Sequence, residues 1–401
     1  MTAPLPNAAT EFRLHWRDLA GATIGLGCGV GMYTPITSLF FRALEADFGW
    51  SKTALAAGLL ALPLTGLALP LAGRLIDRFG VRPVAAISAV AMAVAFLGLS
   101  LIGRSLPAFY AGFIGFNILG CATGPVAYTR PLAARFTVAR GAAIGIALTG
   151  ISISGIVLSP LLGAMLAHAG WRAGYQLLAG VALVGGLTAA ALIRPTEGPR
   201  TLATGEGLER REAMRTRAFW QLGLGVFLAG AASVGFVSQL QSAAVEFGVG
   251  AERSGLLVAV LALSVLVFRP SAGWSLDRFA PGRVAATFFV LSGLGLGLWL
   301  VPHGSMPLAV AATVALGLSV GSEHAFISYF CARLFGTRAY SAIFGALALF
   351  LYFGMAVGGL IFARSRDVTG SYLVAIICAI VGLIAAGVLF AALPTRAAAR
   401  N

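Results

Sequence analysis

Polar and charged positions fall in short clusters that separate long, nearly unbroken apolar runs, at about 18–42, 52–74, 83–103, 107–132, 141–167 and 172–194, then 218–242, 254–276, 284–303, 306–330, 339–363 and 371–393. A run of about 20 apolar residues has the length of a helix that crosses a bilayer, so the pattern predicts twelve membrane helices in two sets of six. Pro195 to Arg217 is the one long hydrophilic stretch. It divides the chain into a bundle at 1–194, a cytoplasmic linker at 195–217 and a bundle at 218–401. The polar opening from Met1 to Arg17 leads into a run longer than a signal-peptide core and without a small-residue cleavage site, so that run is expected to stay as a helix.

Composition hardens the class. The chain is 59% hydrophobic and 10% charged, with a mean hydropathy of +0.91, against about 25% charged residues in soluble domains. An all-α membrane protein follows, with no room for an extramembrane catalytic domain. The net charge of +14 raises nucleic acid as a partner, but the basic residues sit between the apolar runs. With the N-terminus inside, 19 of the 28 Lys and Arg lie on one set of alternate loops and 7 on the other. Such a bias marks the cytoplasmic face, so both termini are expected in the cytoplasm of a bacterial cell, the chain lying in the inner membrane. No nucleic-acid partner is needed. Cys28, Cys121, Cys331 and Cys378 lie inside apolar runs without metal-ligand spacing, and neither a disulfide framework, a metal nor a cofactor is expected.

The halves repeat. Shifted by 200, Pro70–Phe79 and Pro270–Phe279 share Pro, Ala, Gly, Asp, Arg and Phe, and at a shift of 198 Arg135 and Arg140 recur as Arg333 and Arg338. Two six-helix halves in parallel repeat are the construction of the major facilitator superfamily, in which substrate binds at the midplane and the halves rock around it. The stretch Gly73-Arg74-Leu75-Ile76-Asp77-Arg78-Phe79-Gly80-Val81-Arg82 resembles that superfamily's G-x-L-x-D-R-x-G-x-R loop signature. The resemblance covers the whole chain. It implies that Asp77, with Arg78, Gly73 and Gly80 and the repeated Asp277 and Arg278, latches the outward-facing state against a helix N-terminus in the other half.

Three further stretches resemble the monocarboxylate transporter family and the bacterial oxalate:formate antiporter group. These are Phe136–Gly150 entering the fifth span, Phe268-Arg269-Pro270-Ser271-Ala272-Gly273 in the eighth, and Asp47-Phe48-Gly49-Trp50-Ser51 after the first. The resemblance implies that Arg269 holds a substrate carboxylate. Physics agrees, because a guanidinium inside an apolar span costs several kcal/mol unless it faces a cavity or a partner. The other half has Leu69 at the matching place, so the fold itself does not require the arginine. A planar fork suits a carboxylate; a structural pair with Glu323 is the alternative. The animal family's relay aspartate and lysine are replaced here by Val265 and Pro35, and its coupling mechanism does not carry over.

The remaining ionisable groups inside spans are Arg130, Glu323 and His324. Glu323 and His324 are the proton-coupling candidates, with a structural role for Glu323, bonding to helix ends or packing against Arg130, as the alternative. Adjacent helical positions point about 100° apart, so His324 cannot share its wall and is expected to bond a neighbouring helix. Arg130, five residues before Arg135, is expected to snorkel to the cytoplasmic face. Tyr33, Thr34, Asn117, Tyr128, Ser152, Gln239, Gln241 and Tyr352 complete the expected lining, a mostly apolar pocket with one anion anchor. The glycines from Gly25 to Gly31 read as helix-packing surfaces rather than a nucleotide loop.

The expected function is therefore secondary transport of a monocarboxylate or related small organic anion by alternating access, proton-coupled, by a monomer. Anion exchange against a counter-anion, efflux of amphipathic drugs, and a non-transporting membrane receptor are the alternatives. The R-x-x-Q-G antiporter motif is missing from the fourth span, no signalling domain is present, and nothing suggests an enzyme.

Overall fold

A computed structural model of the chain describes residues 7–58, 61–195, 207–301 and 305–394. The first half holds α1 (Ala8–Gly27), α2 (Thr37–Phe48), α3 (Lys52–Ala57), α4 (Ala61–Phe79), α5 (Val81–Ser100), α6 (Leu106–Gly120), α7 (Pro125–Arg135) and α8 (Arg140–Leu192). A short α9 (Arg210–Ala213) precedes α10 (Arg217–Glu246), α11 (Ala251–Arg278), α12 (Pro281–Gly297), α13 (Met306–Phe335), α14 (Tyr340–Thr369) and α15 (Leu373–Ala391).

Nine helices among the described residues are long and apolar enough to cross a membrane, ten if the bent pair Ala8–Thr34 and Leu39–Phe48 is one span. The 53-residue α8 turns at Gly170, where φ is +79°, and so carries two of the predicted spans. Helix α4 stands where the second was expected, which completes the twelve. Helix α5 shows why water is not the solvent: Ala85, Ala89, Met92 and Phe96 are buried, yet Ile87 and Val94 on the opposite face are exposed and equally apolar.

The chain forms two compact units. One comprises Met1–Val138, Ile146–Glu206 and Thr337–Gly345; the other comprises Ala139–Gly145, Gly207–Gly336 and Ala346–Asn401. Each unit is thus six spans plus the first turns of one further helix, which a cut at the linker does not anticipate. Residues 196–206 of that linker lie outside those described. Its far end is anchored: Leu208 N donates to Phe335 O at 2.8 Å, and Glu209 and Glu212 close a capping box on α9.

Two predicted spans are broken rather than continuous. The first unwinds after Gly27 into a 3-10 segment, Val30–Ile36, before α2 resumes. The fourth unwinds at Cys121–Thr123, and Pro125 reopens it as α7. The breaks meet, since Val30 N donates to Thr123 Oγ1 at 2.9 Å and a Cβ on Gly29 would stand 2.1 Å from Thr123 O. An unwound backbone in a membrane needs such internal partners. The neighbouring glycines do pack helices, as expected, Gly27 lying on Gly150 of α8.

At Gly150 a Cβ would come within 2.1 Å of Thr23 O, a backbone atom that cannot turn aside. Gly150→Ala should therefore push α1 off α8 and destabilise the fold by about 1–3 kcal/mol, the cost of overpacking. An unchanged melting temperature of the purified protein would show that the helices separate without strain.

Candidate functional site

Asp77 stands in the last turn of α4, the negative end of the helix dipole and an unfavourable place for a carboxylate. Compensation comes from the first turn of α14, where Ser341 N and Ala342 N donate to its two oxygens at 3.2 and 2.8 Å. Arg130 Nε lies 3.2 Å from Asp77 Oδ1, and Arg130 Nη1 donates to Ile76 O at 3.3 Å. The snorkelling expected of Arg130 does not occur. The side chain is buried, because a carboxylate within reach outweighs the distance to water.

The second unit repeats the arrangement. Asp277, in the last turn of α11, accepts from Gly141 N at 2.7 Å and Ala142 N at 2.8 Å in the first turn of α8. Gly73 and Gly273 make the approach possible, since a Cβ on either would fall about 2 Å from a backbone oxygen, of Ser341 and of Gly141 respectively. Gly80 serves differently, turning the chain at φ +89° before α5. Arg78 and Arg278 stay out of the cluster; each is exposed and stacks on an aromatic ring of its own helix end, Phe79 at 5.2 Å and Trp274 at 4.8 Å.

The second candidate region lies inside the second unit. Arg269 sits on α11 before Pro270, which cannot donate to the carbonyl one turn back. Gly317 and Gly321 let α13 approach α11 at Ser264 and Phe268. That approach brings Glu323 and His324 within electrostatic reach of the half-buried Arg269. Glu323 is 1% exposed. Ser319 Oγ donates to its Oε1 at 3.4 Å and shares a 2.5 Å hydrogen bond with Ser233 Oγ of α10. Two hydroxyls thus stand beside the carboxyl group, which a charge in hydrocarbon requires. Neither serine stands out in the sequence, where hydroxyls one turn apart on apolar helices carry no signal of a partner.

The residues of the expected lining are divided between the two units. Tyr33 is enclosed in the first unit's aromatic core, its hydroxyl 2.9 Å from that of Tyr175 and its ring among Phe40, Phe96, Phe113 and Phe116. Asn117 is buried there too, and its amide donates to Phe113 O of its own helix at 2.9 Å. Tyr128 is fully buried over Gly25, with a hydroxyl that finds no partner among the described residues. Thr34 and Gln241 are exposed, and Ser152 and Tyr352 are half-buried. Gln239 accepts from Tyr372 OH at 3.0 Å. Val265 is buried, and the side chain of Pro35 lies outside those described. Among the described residues no three metal-ligating side chains converge.

Comparisons with known proteins bear on this geometry. The family model of the Major Facilitator Superfamily matches residues 19–359. Monocarboxylate transporter 11 of Mus musculus is 30% identical over 370 residues, 88% of this chain and 80% of that protein. Monocarboxylate transporter 4 of Mus musculus is 26% identical over 378 residues, 89% and 78% of the two. Among solved structures, the E. coli fucose:proton symporter superposes with a TM-score of 0.73 at 15% identity, over 95% of this chain and 98% of that one. The human organic anion transporter MFSD10 superposes with a TM-score of 0.71 at 17% identity, over 97% and 100%.

Proposed function

Because the chain belongs to the major facilitator superfamily and is a multi-pass membrane transporter similar to monocarboxylate transporters, we propose that it carries a small organic anion with a single carboxylate, held by Arg269, together with a proton held on Glu323. The observation that carries the reading is the placing of one arginine and one buried carboxyl group within electrostatic reach of each other on α11 and α13. An empty Arg269 has Glu323 as its counter-charge. When a substrate carboxylate takes the fork, two acids compete for one cation, and a proton on Glu323 relieves the repulsion. Anion and proton then load together.

Asp77 and Asp277 are proposed as the latch of the outward-facing state, each a carboxylate on a helix N-terminus that must be released for the halves to reorient. The bilayer is proposed to be a bacterial inner membrane; the arginine distribution supports both termini lying in the cytoplasm. The transporter is taken to act as a monomer. Exchange of one organic anion for another is the second reading, favoured if Glu323 serves only to neutralise Arg269.

A thermal-shift screen of the purified protein against a library of carboxylates tests substrate class, since a ligand that binds the folded state raises its stability by mass action. Asp77→Asn tests the latch. The amide keeps the shape but loses the charge, so transport should slow severalfold while the ligand's thermal shift stays as in wild type. Unaltered transport rates would return Asp77 to a purely topological role.

A further inference from the structure

At the end of each unit remote from Asp77 and Asp277, a second device is repeated. The first unit's α2 ends in Asp47-Phe48-Gly49, and 199 positions later α10 ends in Glu246-Phe247-Gly248. Both glycines leave the helix in the left-handed region, at φ +68° and +94°. The turns these acids address are repeated as well, at Gly170 and Gly370, with φ +79° and +71°.

In the first unit Asp47 Oδ2 accepts from Trp171 Nε1 at 2.8 Å and from Arg172 Nη1 at 3.4 Å. In the second, Glu246 Oε1 accepts from Ser371 Oγ at 2.5 Å and Tyr372 N at 3.0 Å, while Oε2 pairs with Arg366. Each arginine also lies over the aromatic ring of its turn, Arg172 at 4.2 Å from Trp171 and Arg366 at 5.5 Å from Tyr372. Arg104 ties the loop between α5 and α6 into the first cluster through Phe48 O, at 3.2 and 3.0 Å. The exposed Asp47–Arg172 pair adds little by itself; the common geometry is the acid held at the turn between two helices.

We infer that the acid-Phe-Gly repeat is a duplicated clasp, which fastens the end of each unit's opening span to the turn between its last two helices so that they reorient together during transport. The inference uses only the family's alternating access and not the proposed substrate. Each clasp closes within its own unit, so its effects are local.

Hydrogen exchange on the full chain in lipid nanodiscs reads it. Glu246→Ala should speed exchange of the amides at 366–373 at least tenfold and leave 168–173 unchanged, while Asp47→Ala does the reverse. Arg366→Gln and Arg172→Gln, which retain the acids, provide the same readout if the alanine variants do not fold. Turnover of an acid found in the carboxylate screen should fall severalfold in each variant, with the ligand's thermal shift intact. Unchanged exchange at the addressed turn, exchange that rises equally in both units, or an opened turn with undiminished turnover would each overturn the clasp. A wild-type protein that transports none of the screened acids would instead count against the proposed substrate, and the exchange arm would still decide the clasp.

Discussion

Arg269→Lys is expected to remove carboxylate binding while the protein folds as before. A guanidinium offers two parallel N–H donors to the two oxygens of a carboxylate, whereas an ammonium is a hydrated point charge that can satisfy only one at a time. Hydrogen bonds to charged groups contribute about 1.5–3 kcal/mol, so affinity should fall from about tenfold to more than a hundredfold. The matching place in the other half is Leu69, and both positions receive a glycine of a neighbouring helix on their backbone, Gly345 at Leu69 and Gly145 at Arg269. The close backbone approach therefore does not depend on the arginine, and with a cation kept at the position the variant's unliganded melting temperature should change little. Unchanged affinity for the best ligand would remove Arg269 from the site.

Glu323→Gln is expected to abolish accumulation driven by a pH gradient yet preserve exchange of internal for external substrate. Exchange needs only the loaded carrier to reorient, and the neutral glutamine resembles the protonated acid. Return of the empty carrier is the step that fails, because Arg269 then loses the counter-charge that Glu323 supplies. Proteoliposomes with and without internal substrate separate the two modes. A variant that still concentrates substrate along a proton gradient would end the relay role. If the wild type ignores the gradient and requires an anion on the far side, the chain is an exchanger and Glu323 is structural.

What the sequence made legible follows from what controls each feature. Span number depends on apolar length, and the twelve runs are matched by helices because nothing but length and hydropathy decides them. The Asp77 signature is visible since its glycines, acid and turn are local in the chain. Helix breaks at Cys28–Gly29 and at Gly124 were hidden, because both lie in continuously apolar runs and glycine serves packing and unwinding alike. The partner of Arg130 was hidden for another reason: proximity to Arg135 suggested the membrane surface, while the carboxylate that holds it is 53 positions away on α4. Tyr33 and Asn117 look like pocket residues by type alone, and only the packing of five phenyl and phenol rings around Tyr33 shows how closely they are enclosed. Ser233 and Ser319 gain meaning solely from the helix crossing that sets them at Glu323.

The central claim, that this transporter recognises its substrate through a carboxylate, is tested most directly by melting the wild-type protein with matched ligand pairs, each acid beside the primary amide of the same shape. At a hundred times its dissociation constant a ligand contributes about 2.7 kcal/mol of stability, which is readily measured. The account predicts that at least one acid raises the melting temperature and its amide does not. Amides that stabilise the protein as well as their acids would contradict it.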